Sequence, residues 1–405
     1  MGLRLVSATP KRLRIALIAG ETSGDLLGAK LMTALRGLCA EDIEFAGVGG
    51  PAMEAEGLHS AFPMADIAVM GVFPVLKRLP SLFKRIQDAT RSVLAAAPDA
   101  LVIIDSPDFT HRVARRVRTA SPELPIIDYV SPTVWAWRPG RAAAMRDYVD
   151  RVLALLPFEP AVHARLGGPP CDYVGHSLIE RIRDFRADDQ EARRREEAPP
   201  IVAVLPGSRK TLIARLMDDF GGAVAEASRR IGPLDVVIPT LPHVEAEVRA
   251  RAEAWSIRPR FTVGPEANRA VFRTARAALA ASGTATLELA LAGVPTVGAY
   301  RVTAWEARLR FLVKLPHSIL LPNLILGDNT VPEFLHERCS PAPLAEALAA
   351  LVVAGPARDA QIQALTRLDA RMTEGLDAAP SVMAARAVLR TIAEKSRGAL
   401  PIPVA

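Results

Sequence analysis

Two carboxylates stand where short aliphatic runs end. Glu21 follows the run Ile15–Gly20 in Ala19-Gly20-Glu21-Thr22-Ser23-Gly24-Asp25, and Asp105 closes the run in Ile103-Ile104-Asp105-Ser106-Pro107-Asp108-Phe109. A carboxylate at the C-terminal tip of a strand is well placed to take a proton from a hydroxyl as general base, and ligands of open α/β sheets bind at that edge. The plainer reading is that Asp105 only fixes its loop. In the first loop, Gly20 and Gly24 permit a tight turn and close approach of a ligand to backbone N–H groups. Alternatively, Ser23 or Asp25 simply caps the helix that follows. Asp108 is expected to cap the helix after the second loop. The Asp105–Asp108 spacing would also suit a cation, but no further ligands cluster nearby, and no metal site is expected.

Three further segments carry groups suited to a nucleotide diphosphate. Leu205-Pro206-Gly207-Ser208-Arg209 puts a fixed cation beside a helix start, a cradle for phosphate; its bland alternative is a capped turn with a solvated arginine. It lacks the GK[ST] of a P-loop, so an ATPase reading is weak. In Ala281-Ser282-Gly283-Thr284-Ala285-Thr286-Leu287-Glu288, Ser282, Gly283 and Thr284 offer N–H and hydroxyl donors. Glu288, about one turn into the helix, can accept both hydroxyls of a ribose or serve as plain helix surface. Asn323, in Leu321-Pro322-Asn323-Leu324, needs partners if buried, from a ligand or from its own loop backbone.

Two segments are apolar in a way that invites lipid or sugar. Tyr129-Val130-Ser131-Pro132-Thr133-Val134-Trp135-Ala136-Trp137-Arg138 carries two indoles within three residues, which line a sugar or lipid site or anchor the loop to the core. Pro74–Arg91 is an amphipathic basic helix with a kink possible at Pro80. Val75, Leu76, Leu79, Leu82, Phe83 and Ile86 share one face, opposite Lys77, Arg78, Lys84 and Arg85. Such a helix lies in a membrane interface or packs against a sheet. The preceding Met70, Val72 and Phe73 extend the apolar surface and favour lipid contact.

Positioning these loops takes alternating strands and helices. Short aliphatic runs (Arg14–Ala19, Ile43–Val48, Ala100–Asp105, Ile126–Val130, Val152–Leu156, Asp172–Val174) alternate with amphipathic stretches such as Leu26–Leu38 and Arg138–Val149. That alternation is the sign of βαβ units and a parallel sheet. It restarts at Ile201–Leu205 and continues through Asp235–Pro239, Arg260–Val263, Ala277–Ala281 and Thr296–Tyr300. The expected architecture is α/β, with two Rossmann-like domains facing a central cleft. Residues 1–180 form the N-terminal domain, 181–200 a helix and linker, 201–375 the second domain, and 376–405 a C-terminal helix. Within that helix Ala385, Val388, Leu389 and Ile392 recur at i, i+3, i+4 and i+7.

Composition excludes other classes. Of 405 residues, 50% are apolar and 23% charged, so wholesale disorder is not expected. No apolar run is long enough to span a bilayer as a helix, and no signal-peptide pattern opens the chain. Cys39, Cys171 and Cys339 are odd in number and far apart, which suits a reducing cytoplasm rather than a disulfide framework. The net charge of +6 fits an anionic ligand, an anionic membrane, or an arginine-rich composition without a special partner. No nucleic-acid-binding signature accompanies it, so nucleic acid is not an expected partner.

Taken in order, AGETSGD (19–25), AVMGVFPVL (68–76), IDSPDF (104–109), YVSPTVWAWR (129–138), LPFE (156–159), VGHS (174–177), LPGSR (205–209), SGTATLE (282–288) and LPNL (321–324) resemble the lipid-A-disaccharide synthase family, glycosyltransferases of the B-type (GT-B) fold. The resemblance spans about residues 14–395. It implies an inverting transfer from UDP-2,3-diacylglucosamine to 2,3-diacylglucosamine 1-phosphate, a step of lipid A and lipopolysaccharide biosynthesis without a cofactor. It implies Asp105 as base, with Glu21 as second candidate or acceptor-orienting group, and Gly20 and Ser23 in the acceptor loop. Arg209 and Asn323 would hold the diphosphate, with Gly207, Ser208, Ser282, Gly283 and Thr284, and Glu288 would hold the ribose. The segment from Met70 to Ile86 would contact acyl chains or membrane. The enzyme would be peripheral at the cytoplasmic face of the inner membrane, and a homodimer through C-terminal regions is compatible with the family. Where the family commonly has an acid after LPGSR, this chain has Leu212. The rival readings are another B-type transferase, a UDP-sugar epimerase, or a UDP-sugar-binding protein without turnover.

Overall fold

A computed structural model describes residues 12–40, 42–67, 72–136, 138–301 and 318–396, with 72–79 described as backbone. The chain divides into two compact units, Met1–Ser177 with Gly375–Ala405, and Leu178–Glu374.

The first unit contains strands β1 (Leu13–Ala19), β2 (Ile43–Val48), β3 (His59–Ser60), β4 (Ala100–Ile104), β5 (Ile126–Tyr129), β6 (Arg151–Ala154) and β7 (Cys171–Tyr173). They form one sheet in the order β3-β2-β1-β4-β5-β6-β7. Every pairing is parallel. Between the strands run α1 (Thr22–Leu38), α2 (Pro51–Ala55), α3 (Val72–Ala96), α4 (Pro107–Ala120), α5 (Gly140–Met145) and α6 (Glu159–Arg165). A parallel sheet is covered on both faces, so its central strands are apolar throughout; all five residues of β4 are buried. Ile15, Leu17, Val102 and Ile104 pack on the α1 side with Leu31 and Leu35. Ala16, Ile18, Leu101 and Ile103 pack on the other side, with Ile86, Ala89 and Val93 of α3 and Val113 and Val117 of α4.

The second unit opens with a 3₁₀ turn, Ile179–Phe185, and α7 (Asp189–Glu196). Asp188 and Glu191 form a reciprocal capping box at the start of α7. The stretch expected to be a linker, 181–200, is folded onto this unit: the Arg195 guanidinium donates to the carbonyls of Phe272, Arg273 and Ala292 at 2.9–3.1 Å. Then follow β8 (Ile201–Leu205), α8 (Lys210–Ile231), β9 (Asp235–Thr240), α9 (Glu245–Ala252), β10 (Arg260–Val263), α10 (Pro265–Thr274), β11 (Ala277–Ala281), α11 (Thr284–Leu291) and β12 (Thr296–Tyr300). After these come α12 (Leu321–Leu326), β13 (Glu333–Leu335), α13 (Pro341–Val352) and α14 (Pro356–Thr373). The sheet order is β10-β9-β8-β11-β12-β13, again all parallel. A last helix, α15 (Pro380–Ser396), belongs to the first unit, where Ala384, Ala385, Val388 and Ile392 join the α1 face of the core. Both units are therefore Rossmann-like, as the alternating pattern leads one to expect.

Strands β4 and β5 each stop one residue short of their aliphatic runs. Asp105 (φ 54°) and Val130 (φ 89°) adopt left-handed backbone, which a strand cannot continue through. Helix α3 passes through Pro80 as one element of 25 residues.

Candidate active site

In each sheet the chain reverses its direction of travel once. The reversal falls between β1 and β4 in the first unit, and between β8 and β11 in the second. At such a switch point two neighbouring strand ends lead to helices on opposite faces, leaving a crevice for ligand. The loops after these four strands are four of the segments singled out for chemistry.

In the first unit β1 and β4 end side by side, Ala19 opposite Ile104. The loops touch: a Cβ on Gly20 would lie 2.5 Å from the Ser106 Cβ, so only glycine fits there. Ser23 donates its hydroxyl to Asp105 Oδ2 at 3.1 Å, and Asp105 Oδ1 accepts the Ser106 N–H at 2.7 Å. Asp105 is half-buried, and the consecutive left-handed residues Asp105 and Ser106 (φ 45°) hold its backbone in a strained turn. Strain of this kind persists where neighbours over-determine it and is concentrated at functional sites. Glu21 occupies the cap position of α1, half-buried, and its side chain makes no capping bond.

The capping expectations in these loops need correction. Asp25 does not cap its own helix. Buried to 3% exposure, it accepts N–H bonds from Gly50, Ala52 and Met53 at 2.9–3.0 Å and so caps α2. Asp108 lies in the first turn of α4 behind the cap residue Ser106, and it pairs with Arg141 at 3.3 Å.

In the second unit Arg209 is the cap residue of α8. Its side chain is exposed and makes no hydrogen bond or ion pair with the described residues. Gly207 holds φ 105°, and a Cβ there would meet Leu212 at 2.7 Å. His243 Nε2 lies 3.0 Å from the Ser208 carbonyl, tying the turn down from β9's side. Gly283 is the cap residue of α11, and Thr284 opens that helix, exposed. Ser282 spends its hydroxyl on the Ile319 carbonyl at 2.9 Å, which leaves backbone donors rather than the hydroxyl for a ligand. Glu288 is half-buried; burial pushes its carboxyl up, opposed by the guanidinium charges of Arg269 and Arg181.

Asn323 finds its partners within its own loop. It is fully buried: Nδ2 donates to Ser318 Oγ and the Val331 carbonyl at 3.2 and 2.9 Å, and Oδ1 accepts the Val331 N–H at 2.8 Å. Its amide is bonded to the loop that begins α12.

The segment expected to contact lipid also divides. Met70 lies outside the described residues, and Val72, Phe73, Val75, Leu76 and Leu79 are placed as helix backbone only. Ile86 is 1% exposed in the sheet core and Leu82 packs against that core, whereas Phe83 is 44% exposed. Ile86 is therefore core, not membrane contact. Ile86→Ser should cost about 3 kcal/mol of stability or more through the lost burial and the buried hydroxyl, while Phe83→Ser should stay within about 1 kcal/mol. Urea denaturation measures both, and an Ile86→Ser protein as stable as wild type would remove the assignment. No described helix is long and apolar enough to cross a membrane.

The model of the family described as lipid-A-disaccharide synthetase matches residues 15–384. The lipid-A-disaccharide synthase of Nitrobacter hamburgensis is 52% identical over 385 residues, covering 95% of this chain and 97% of that one. The chain belongs to the lipid-A-disaccharide synthase family. That makes it an enzyme, a disaccharide-forming glycosyltransferase. The synthase of Bradyrhizobium diazoefficiens is 48% identical, with 96% and 98% coverage. Among solved structures, UDP-GlcNAc 2-epimerase of Neisseria meningitidis bound to UDP-GlcNAc aligns with TM-score 0.62 at 11% identity, covering 93% of this chain and all of that one. MurG of Acinetobacter baumannii aligns with TM-score 0.54 at 11% identity, covering 94% and 99%. At such identities the likeness is one of fold, and the fold is that of B-type glycosyltransferases.

The synthase-family segments LPFE and VSPTVW meet at a residue given no role from sequence. Glu159, 3% exposed, accepts the Leu156 N–H at 3.0 Å and the Trp135 indole N–H at 3.3 Å. Trp135 also packs edge-on against Phe158, so this indole anchors its loop; Trp137 lies outside the described residues. Burial pushes the Glu159 carboxyl up to about 8, against the pull of those two donors. The folded chain then holds a proton that the unfolded chain releases near pH 4.3, so stability falls as pH rises from there towards 8, by up to about 1.4 kcal/mol per unit. Glu159→Gln should lose about 1 kcal/mol at pH 5 with the indole bond, yet decline less steeply to pH 8. Equal slopes in urea denaturation at pH 5, 6.5 and 8 would refute this.

Leu212, where the family commonly has an acid, is 5% exposed and belongs to the core beneath the LPGSR turn. It supports Gly207 by packing, and it leaves Arg209 without a neighbouring carboxylate from that position.

Proposed function

We propose that the chain joins UDP-2,3-diacylglucosamine to 2,3-diacylglucosamine 1-phosphate, giving the β-1,6 tetraacyl disaccharide 1-phosphate and UDP. The first unit takes the acceptor and the membrane contact, and the second takes the UDP-sugar. The observation that carries this reading is the pair of switch points. One presents Asp105, oriented by Ser23, and Glu21; the other presents Arg209 and the N-termini of α8 and α11.

Asp105 accepts the proton of the acceptor 6-hydroxyl as its oxygen attacks the anomeric carbon of the donor. The bond from that carbon to the diphosphate breaks on the opposite face, so an α-linked donor gives a β-linked product. The transition state is oxocarbenium-like, by analogy with glycosidases. Charge grows on the departing diphosphate, where Arg209 and the backbone donors of Gly207, Ser208, Gly283 and Thr284 stabilise it. Glu288 accepts from the ribose hydroxyls. Burial works against its charged form, and Arg269 and Arg181 nearby oppose that. The exposed Phe83 and the apolar residues of α3 preceding it rest on the inner face of the inner membrane, where the acyl chains of both substrates reside. A homodimer through the C-terminal region is compatible with this placement.

UDP release from the donor, with and without acceptor, in detergent and EDTA, tests the reading. Acceptor-dependent release with a disaccharide product is expected. Tight UDP binding without release would leave a UDP-sugar-binding protein and overturn it.

A further inference from the structure

A cavity of about 340 Å³ opens on the first unit, and neither Asp105 nor Glu21 lines it. One wall is a single face of α4, where Asp108, His111, Arg112 and Arg115 recur at i, i+3, i+4 and i+7. Arg138 and Arg141, before and within α5, form another. Four guanidiniums thus converge on a concave site. Its one lining carboxylate, Asp108, pairs with Arg141, while Arg112 and Arg115 are exposed and make no ion pair with the described residues.

The wall behind them is fixed. His111 and Tyr148 are buried; His111 Nδ1 lies 2.9 Å from the Tyr148 hydroxyl, and Nε2 lies 3.3 Å from the buried Asp128 carboxylate. The Arg115 guanidinium lies 4.5 Å over the Tyr148 ring, which restrains it on that wall. Like charges gathered in this way repel one another, and a bound anion offsets the repulsion. Planar guanidinium forks match the oxygens of a phosphate group.

We propose that this cavity is the subsite for the phosphate of the acceptor, an inference that rests on the reaction proposed above. Its place along α4 favours the acceptor. Asp105 stands two residues before that helix, and Arg112 lies five residues past its first residue Pro107, about 7.5 Å along the axis. A hexose with its reacting hydroxyl at Asp105 and a phosphate on the far side of the ring spans a comparable length. The four arginines hold the phosphate, and their positions set which end of the acceptor reaches Asp105.

The test is equilibrium binding, in detergent, of 2,3-diacylglucosamine 1-phosphate and of the same lipid without its phosphate. Wild type should prefer the phosphorylated lipid by about tenfold or more. The Arg112→Ala, Arg115→Ala double variant should lose most of that preference, with a matching rise in acceptor KM and an unchanged UDP affinity. An Arg112→Lys, Arg115→Lys variant should keep part of it, and both variants should melt like wild type because these side chains are exposed. Equal affinity of wild type for both lipids, or a preference that survives in the alanine variant, would overturn the inference. So would a variant that loses only its binding to phosphatidylglycerol vesicles, since the cavity would then serve bulk headgroups. A wild type that prefers the phosphorylated lipid but forms no disaccharide would sink the proposed reaction and leave the subsite standing.

Discussion

Asp105→Asn is expected to lower kcat by about 10²- to 10⁴-fold, the usual worth of a positioned general base, while UDP affinity stays near normal. Asparagine is the informative replacement. It keeps an oxygen for the Ser106 N–H, and its amide NH₂ can donate to the Ser23 hydroxyl in place of the bond that Asp105 Oδ2 accepts. It is also among the residues that tolerate left-handed backbone, so the φ of 54° is not put at risk. What it removes is basicity. Asp105→Ala would mix that loss with relief of the strained turn. Steady-state kinetics with saturating donor, alongside UDP titration, separate the possibilities. A variant within about threefold of wild-type kcat would remove Asp105 as base and pass the role to Glu21, whose replacement by Gln would then carry the loss.

The parts of this protein that were legible from sequence are those fixed by local pattern. Buried parallel strands read as unbroken aliphatic runs, and Ile43–Val48, Ala277–Ala281 and Thr296–Tyr300 end where their runs end. The four loops at the switch points announced themselves by glycine, a hydroxyl or a charge directly after such a run. The strands left out, His59–Ser60 and Glu333–Leu335, are too short to show any period. The remaining misses share one cause: the partner comes from elsewhere in the chain. Asp25 looks like a cap for its own helix, but the orphan N–H groups nearest to it belong to a helix about 25 residues on. An apolar stripe such as Leu82, Phe83 and Ile86 satisfies a sheet and a bilayer equally well. Only the position of the sheet assigns Ile86 inward and Phe83 outward. The arginine cavity was invisible for the same reason, since its walls are separate elements that one pattern cannot join.

Asn323 shows how a motif residue can be tied to the loops around it. An asparagine bound by three hydrogen bonds to Ser318 and Val331 at zero exposure positions the loop that begins α12. The same loop supplies the Ile319 carbonyl that holds Ser282. Asn323 is therefore linked to the Ser282 turn through one intermediary, and its replacement should act on the shape of that turn.

Arg209→Ala should weaken UDP binding by about 10- to 100-fold, the worth of one charge-assisted contact to phosphate, and lower kcat as well. The two effects have one origin. A guanidinium beside the N-terminus of a 22-residue helix meets the diphosphate in the ground state, and meets more charge as the glycosidic bond breaks. Because the donor leaves as UDP, the same contact also counts in the product. Folding is not at stake: the side chain is exposed and without partners among the described residues, and the turn is held from beneath by Leu212 and from the side by His243. Arg209→Lys should recover part of the binding and less of the rate, since an ammonium supplies the charge without the planar fork. Calorimetric titration of UDP, paired with kcat and donor KM for both variants, makes the comparison. UDP affinity within twofold of wild type in Arg209→Ala would show that the diphosphate lies elsewhere, and the backbone donors of α11 would then have to carry it.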